Sequence, residues 1–281
     1  MSTNGEAPQG EEAVPTVRLA SVLGAHDVAA ADPSEDYHEA SRMYPEIVDP
    51  LVLGAPRLER SRTMRVSATR SVKRHGHLPF LPLPASTLGD ATLSTALERR
   101  RSIRAFGDRA LRMEELATVL HAAYGVTSSI DGTPQALRTV PSGGALYPLE
   151  LYVACRRVDG LEHALHHYDP LRHGLELLRP LDPLAPLDDL SPYHELLASS
   201  AAFVAVTAMF WRSRFKYGAR AYRFTLLEAG HVAQNLLLAV AALGLATVPL
   251  GGFFDRRVDA FLDVDGLYEA SLYLLPIGRP A

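Results

Sequence analysis

The chain has 281 residues, 47% of them hydrophobic and 21% charged, which is enough apolar mass for one large domain with a full core. A formal charge of −4 provides no basic field of the kind that holds nucleic acid or an anionic membrane surface, so neither is expected as a partner. The single cysteine, Cys155, excludes an intramolecular disulfide framework and a paired-cysteine metal site.

The first residues, MSTNGEAPQGEEAVP, are polar and acidic and lack the basic start and apolar middle of an export signal, so a cytoplasmic location is expected. Residues 1–90 are rich in Pro, Ala and charge and read as an N-terminal extension; residues 91–281 read as one domain. Thr95 with Glu98 has the spacing of a capping box, and Arg99, Arg100 and Arg101 close a short helix. Leu116, Val119, Leu120 and Ala123 recur at helical spacing up to Gly125, a suitable C-terminal cap. Residues 149–155 alternate and favour a strand, which makes Cys155 a small core residue. Residues 164–168 and 174–178 flank Asp169-Pro170 as a hairpin, and residues 203–210 and 268–275 supply further apolar strands. Residues 225–244 are apolar almost all round, predicting a central helix buried on most sides. Glu228, His231, Gln234 and Asn235 interrupt that run and argue against a membrane span. The sum is an α+β fold, with a central, mostly antiparallel sheet flanked by helices.

Four segments carry candidate chemistry. In Arg100-Arg101-Ser102-Ile103-Arg104 the guanidinium groups outnumber the nearby acids, and arginine's planar fork suits phosphate; a solvated basic turn is the alternative. Pro141-Ser142-Gly143-Gly144-Ala145-Leu146-Tyr147-Pro148 is a loop whose paired glycines let a backbone approach a flat ligand, or simply a tight turn. Pro249-Leu250-Gly251-Gly252-Phe253 is a second such loop after the central helix, with backbone donors for a flavin's reactive edge. Lys216-Tyr217 is a candidate proton-transfer pair, since a cationic neighbour favours the phenolate; an exposed cationic loop is the alternative. Glu228 and His231, three apart on the central helix, share a face and read as structural or supporting polar groups; His166 and His167 read as scattered histidines. No other ligand set has credible metal spacing, so no metal is expected.

Taken in order, these segments resemble the nitroreductase fold of FMN enzymes. PSGGALYPLELYV, LHHYDPLRHGLELL, KYGARAYRFTLLEAGHVAQN, the closing PIGRP and the early Tyr37-His38-Glu39-Ala40-Ser41 are similar to the SagB/ThcOx-type dehydrogenases, over roughly residues 37–280. The resemblance implies an FMN-dependent enzyme that oxidises thiazolines or oxazolines of a ribosomally made precursor peptide to thiazoles or oxazoles. It implies a homodimer with flavin at the subunit interface and a cyclodehydratase partner. It assigns the flavin to Arg100, Arg101, Ser102, Arg104, Pro141, Ser142, Gly143, Gly144, Gln234, Leu250, Gly251, Gly252 and Arg279, and catalysis to Lys216 and Tyr217. The loop reads Gly-Gly-Ala-Leu-Tyr where ordinary nitroreductases carry an asparagine-containing pattern, which favours the azoline branch. The alternatives are a nicotinamide-dependent nitro or quinone reductase and a non-catalytic scaffold of a peptide-modifying complex.

Overall fold

The computed structural model describes residues 33–44, 72–130, 135–182, 187 and 189–281. The chain divides into two compact units, Met1–Met43 and Tyr44–Ala281. In the first, helix α1 (Pro33–Ala40) starts on a proline, whose missing N–H costs nothing at a first helical position. The Ser41 hydroxyl ends it by donating to the Tyr37 carbonyl at 2.6 Å. The Tyr37-His38-Glu39-Ala40-Ser41 segment therefore forms this helix and its end.

The second unit contains, in order, β1 (Phe80–Pro82), α2 (Leu93–Arg99), β2 (Phe106–Gly107), α3 (Met113–Tyr124), β3 (Val126–Ser129), β4 (Ala136–Arg138), β5 (Leu149–Cys155), β6 (Ala164–Asp169), β7 (Gly174–Pro180), α4 (His194–Ser199), β8 (Ala202–Ala208), α5 (Trp211–Tyr217), α6 (Arg220–Ala242), β9 (Ala246–Thr247), α7 (Asp255–Leu262) and β10 (Ala270–Pro280). The main sheet runs β1-β7-β6-β5-β8-β10-β2, with β9 also on β10, and its pairings are antiparallel. β3 and β4 form a separate hairpin.

The period of two in the central strands sorts their side chains onto two cores. Leu149, Leu151, Val153 and Cys155 of β5 join Val204 and Val206 of β8 against α3 and α6, through Leu116, Leu120, Val232 and Leu236. Tyr152 and Ala154, with Phe203 and Ala205, face the other way onto Leu197 of α4 and Val258 and Leu262 of α7. Helices cover both faces, so β5 and β8 are buried at every residue. Each fully buried leucine contributes about 1.5–3 kcal/mol.

Three local expectations are corrected. Thr92, not Thr95, caps α2: its extended backbone presents the hydroxyl to the Thr95 N–H at 3.2 Å, while the Glu98 carboxylate takes the Ser94 hydroxyl instead. The basic stretch before the central helix is itself helical, with Gly218 (φ 56°, ψ −140°) separating α5 from α6, so α6 starts at Arg220. α6 is long and apolar enough to cross a membrane, and half of its most apolar window is buried in the fold. Among the described residues it is not covered on most sides, because Leu226 and Leu227 are exposed and Tyr222, stacked on Phe210, is partly so.

Candidate functional site

The structure assembles the predicted residues into two groups, both flanking α6. The first is built on the loop 141–148. Gly143 and Gly144 lie in a single 3₁₀ turn, with Gly144 at φ 64°, and Ala145 and Tyr147 also take positive φ values of 50° and 46°. Side-chain-bearing residues adopt this region only where the surroundings insist. Here they do: the Tyr147 N–H donates to the Ser142 Oγ at 2.9 Å, the buried Tyr147 hydroxyl accepts the Arg138 N–H at 3.0 Å, and Gln135 Nε2 donates to the Ala145 carbonyl at 3.0 Å.

Lys216 and Tyr217 end α5 directly above this turn. A methyl group placed on Gly144 would lie 2.6 Å from Lys216 Nζ and 2.7 Å from the Tyr217 hydroxyl, so both polar ends point at one spot that only glycine leaves open. The Lys216 ammonium also sits over the Tyr217 ring, 5.2 Å from its centroid, and Phe224 of α6 meets that ring edge-on at 5.1 Å. The expected pair and the first glycine loop are thus brought together across some seventy residues of sequence. α5 is fixed from beneath by Arg212, which pairs with the buried Glu150 of β5 and donates to the Tyr147 carbonyl at 3.4 Å.

Under the same loop lies Glu228, buried on α6. Its carboxylate accepts the Tyr124 hydroxyl at 2.7 Å. Arg138 lies over the Tyr124 and Tyr147 rings, 4.1 and 4.6 Å from their centroids. Burial pushes the Glu228 carboxyl up to about 7, against the opposing pull of Ser142, Tyr124 and Arg138. Reading Glu228 and His231 as one face fails: Glu228 turns inward and His231 is exposed.

The second group forms where Ile103 N–H donates to the Thr247 carbonyl at 2.9 Å, setting the 100–104 segment beside the strand that leads into 249–253. Arg100, Ser102 and Arg104 make no side-chain hydrogen bond or ion pair among the described residues; they are the cations and hydroxyl available to an anion. Arg101 is instead folded onto the α2 terminus, donating to the Glu98 and Arg100 carbonyls at 2.9 and 2.8 Å. Leu250 is buried, and its N–H goes to the Leu274 carbonyl at 2.8 Å, so the sheet has taken the donor that the sequence assigned to a ligand. Gly251 and Gly252 are exposed, and their loop is pinned by Ser191 Oγ, which donates to the Gly252 carbonyl at 2.6 Å. Arg279 is half-buried and pairs with the buried Glu115 at 2.8 Å. Gln234 and Pro141 are exposed.

Sequence reasoning missed a buried ionic chain behind the first group. His167, fully buried, lies between Glu150 at 2.8 Å and Glu176 at 3.0 Å; Arg172 joins Glu176 to Asp169; Lys73 pairs with Glu269 at 2.9 Å and donates to the Tyr152 hydroxyl at 2.9 Å. Burial opposes charge on His167, but hydrogen bonds to the two carboxylates outweigh it and raise the imidazole to about 9. Against the same penalty, Arg212 and then His167 hold Glu150 at about 2, and His167 and the His75 N–H do so for Glu176. His75, His167 and Glu176 are close enough to share a metal ion. A protonated His167 already bonded at both nitrogens is a poor ligand, so the cluster is a hydrogen-bonded ion network rather than a metal centre. The signal available in the sequence was His166-His167 within an apolar strand; the partners were not legible.

The nitroreductase family profile matches residues 97–279, which include every residue of both groups. The chain is 37% identical over 187 residues, 66% of its length and 90% of the relative's, to a Methanocaldococcus jannaschii protein that carries the nitroreductase name. It is 31% identical over 134 residues to the microcin B17-processing protein McbC of Escherichia coli, spanning 46% of this chain and about half (49%) of McbC. Among solved structures it matches a chain of the E. coli microcin synthetase McbBCD complex with bound truncated pro-MccB17, at TM-score 0.58 and 22% identity, over 94% of this chain and 97% of that one. A mostly antiparallel sheet between two helical layers, two glycine loops on either side of the central helix in the chain, and a profile matching residues 97–279 establish that the chain belongs to the nitroreductase family.

Proposed function

We propose that the chain is an FMN-dependent dehydrogenase that oxidises thiazoline or oxazoline rings in a ribosomally synthesised peptide to thiazoles or oxazoles. Family membership supports an oxidoreductase, and the similarity to McbC supports a role in peptide processing. The observation that carries the finer reading is the convergence of Lys216 Nζ and the Tyr217 hydroxyl on Gly144.

The residues present fit the cofactor. Arg100, Ser102 and Arg104 offer charge-assisted donors for a phosphate, and Gly251 and Gly252 present side-chain-free backbone to a flat ring. When bound, FMN supplies a two-electron acceptor beside the substrate. Aromatising an azoline removes a proton from Cα and a hydride from the neighbouring ring carbon. The Tyr217 oxygen takes the Cα proton as a phenolate and becomes a neutral phenol, and the Lys216 ammonium stabilises the phenolate before the transfer. The two groups of residues make one complete site when a second subunit joins its half, so the working form is a homodimer, served by a cyclodehydratase that forms the azoline.

The test is the absorbance spectrum of the purified protein, followed by mass analysis of an azoline peptide incubated with it. A flavin spectrum and loss of two hydrogen masses per ring are expected. Tyr217→Phe should keep the flavin and slow oxidation by about 10²–10⁴-fold; undiminished turnover removes Tyr217 from the reaction. The similarity to the archaeal nitroreductase favours a second reading, a nicotinamide-dependent nitro or quinone reductase. Rapid anaerobic bleaching of the flavin by NADPH would support that reading over the first.

A further inference from the structure

The β3–β4 hairpin stands apart from the main sheet, and the first glycine loop is tied to its second strand. The end of that strand is anchored by Asn235 of α6, whose Nδ2 donates to the Ala122 and Thr139 carbonyls at 3.2 and 3.3 Å. From this base Arg138 reaches the loop twice, its N–H on the Tyr147 hydroxyl and its guanidinium over the Tyr147 ring. A further contact comes from Gln135 at the entrance to β4, where the Ile130 N–H donates to the Gln135 carbonyl at 3.0 Å and closes the hairpin. Gln135 Nε2 donates to the Ala145 carbonyl at 3.0 Å and to the Gly144 carbonyl at 3.4 Å. Those carbonyls belong to the peptide planes on either side of the Ala145 Cα, so one side-chain amide restrains both backbone dihedrals of that residue. Ala145 sits at φ 50°, where a side chain is strained. Its own N–H, on the Ser142 carbonyl at 3.0 Å, restrains only the first plane, and among the described residues no other side chain donates to either carbonyl.

We propose that Gln135 is a positioning residue: by clamping the two peptide planes around Ala145, it holds Gly144 against the polar ends of Lys216 and Tyr217. Its effect on turnover rests on the proposed part of that pair in azoline oxidation; its hold on the turn does not. Alanine left to itself favours negative φ, so without the clamp the planes turn and Ala145 leaves the left-handed region. Gly144 shares the first of those planes. When it turns, the open Cα position on which Lys216 Nζ and the Tyr217 hydroxyl converge is no longer presented to both. The hydrogen bonds of one side chain are balanced here against the strain of one residue, two effects of the same order. Loss of Gln135 therefore shifts the population of the turn and leaves the backbone pairing of the hairpin intact.

Gln135→Met keeps the length of the side chain and removes the donor. With saturating FMN, its kcat on an azoline peptide should fall about three- to tenfold, the equivalent of one hydrogen bond. In an Ala145→Gly background the same substitution should cost less than about twofold, because glycine takes positive φ without strain. Amide exchange of the full-length protein, read by mass spectrometry, reports on the turn without any turnover. The 141–148 segment should exchange faster in Gln135→Met, while α6 exchanges at the wild-type rate. Gln135→Asn, one carbon shorter, should behave in the same way and replaces the methionine variant if that one folds poorly. Unchanged exchange across 141–148, or an equal fall in kcat in both Ala145 backgrounds, overturns the inference. Should wild type leave azoline peptides unoxidised while the exchange behaves as expected, the proposed function fails and the clamp stands.

Discussion

At the scale of single residues, the two glycines of the 141–148 loop are not equivalent. Gly144 sits at φ 64°, where a side chain costs roughly 1–2 kcal/mol of backbone strain. A methyl group there would also overlap Lys216 Nζ and the Tyr217 hydroxyl. One added at Gly143 would meet Phe224 and Tyr217 ring carbons at 3.4 and 3.5 Å, close to ordinary contact. Gly144→Ala is therefore expected to lower the thermal midpoint by several degrees and to reduce kcat by moving the Lys-Tyr pair. Gly143→Ala should be nearly neutral. Equal melting curves and equal turnover for the two variants would show that the pair does not depend on this approach. The sequence exposed the glycine pair but not which glycine mattered, because that is decided by side chains some seventy positions away.

At the scale of elements, α5 is placed by charge as much as by packing. Arg212 ties it to Glu150, Glu150 to His167, and His167 to Glu176 across β5, β6 and β7. Removing the central member leaves Glu150 with Arg212 and Glu176 with Arg172 but takes a charged hydrogen bond from each, so His167→Gln should cost about 1–3 kcal/mol. The pH dependence has a definite shape. His167 binds its proton more tightly folded than unfolded, so its contribution is complete below 6.5 and is lost as pH rises through about 9. Glu150 and Glu176 release theirs more readily in the fold, so their contribution is complete above 4.5 and is lost as pH falls towards about 2. The network should hold best between those limits. Urea midpoints measured from pH 3 to pH 10, spanning roughly the range over which these groups change charge, should form a plateau that flattens in His167→Gln. A Glu228→Gln background removes the competing titration of that carboxyl. A profile that is the same with and without His167 would mean the network adds nothing net. The strands themselves were legible from period-two alternation, because two-sided burial depends only on local pattern. The ion network was not, because its members come from residues 73, 150, 176, 212 and 269, and pairing over such distances leaves no periodic trace.

At the scale of the whole molecule, the central helix was legible in its existence and misread in its surroundings. An apolar run looks the same whether its outer face meets its own chain or another. Leu93 and Leu97 lie one turn apart on α2, which packs along α6, and both are more than half exposed. Tyr222, Leu226 and Leu227 stand open on α6 itself, with Leu227 at 62% exposure. Large apolar side chains grouped on neighbouring helices in this way mark an association surface. If the proposed homodimer uses it, Leu227→Asp places two charges in a dry interface while leaving each isolated chain as stable as before, since the position is exposed there. The expected result is a monomer in sedimentation that keeps its far-ultraviolet spectrum and loses FMN, because each half of the site then lacks its complement. A dimer that survives the substitution would exclude this face as the contact. A monomer that still binds FMN would show instead that one chain joins Arg100, Ser102 and Arg104 to the 141–148 loop without help.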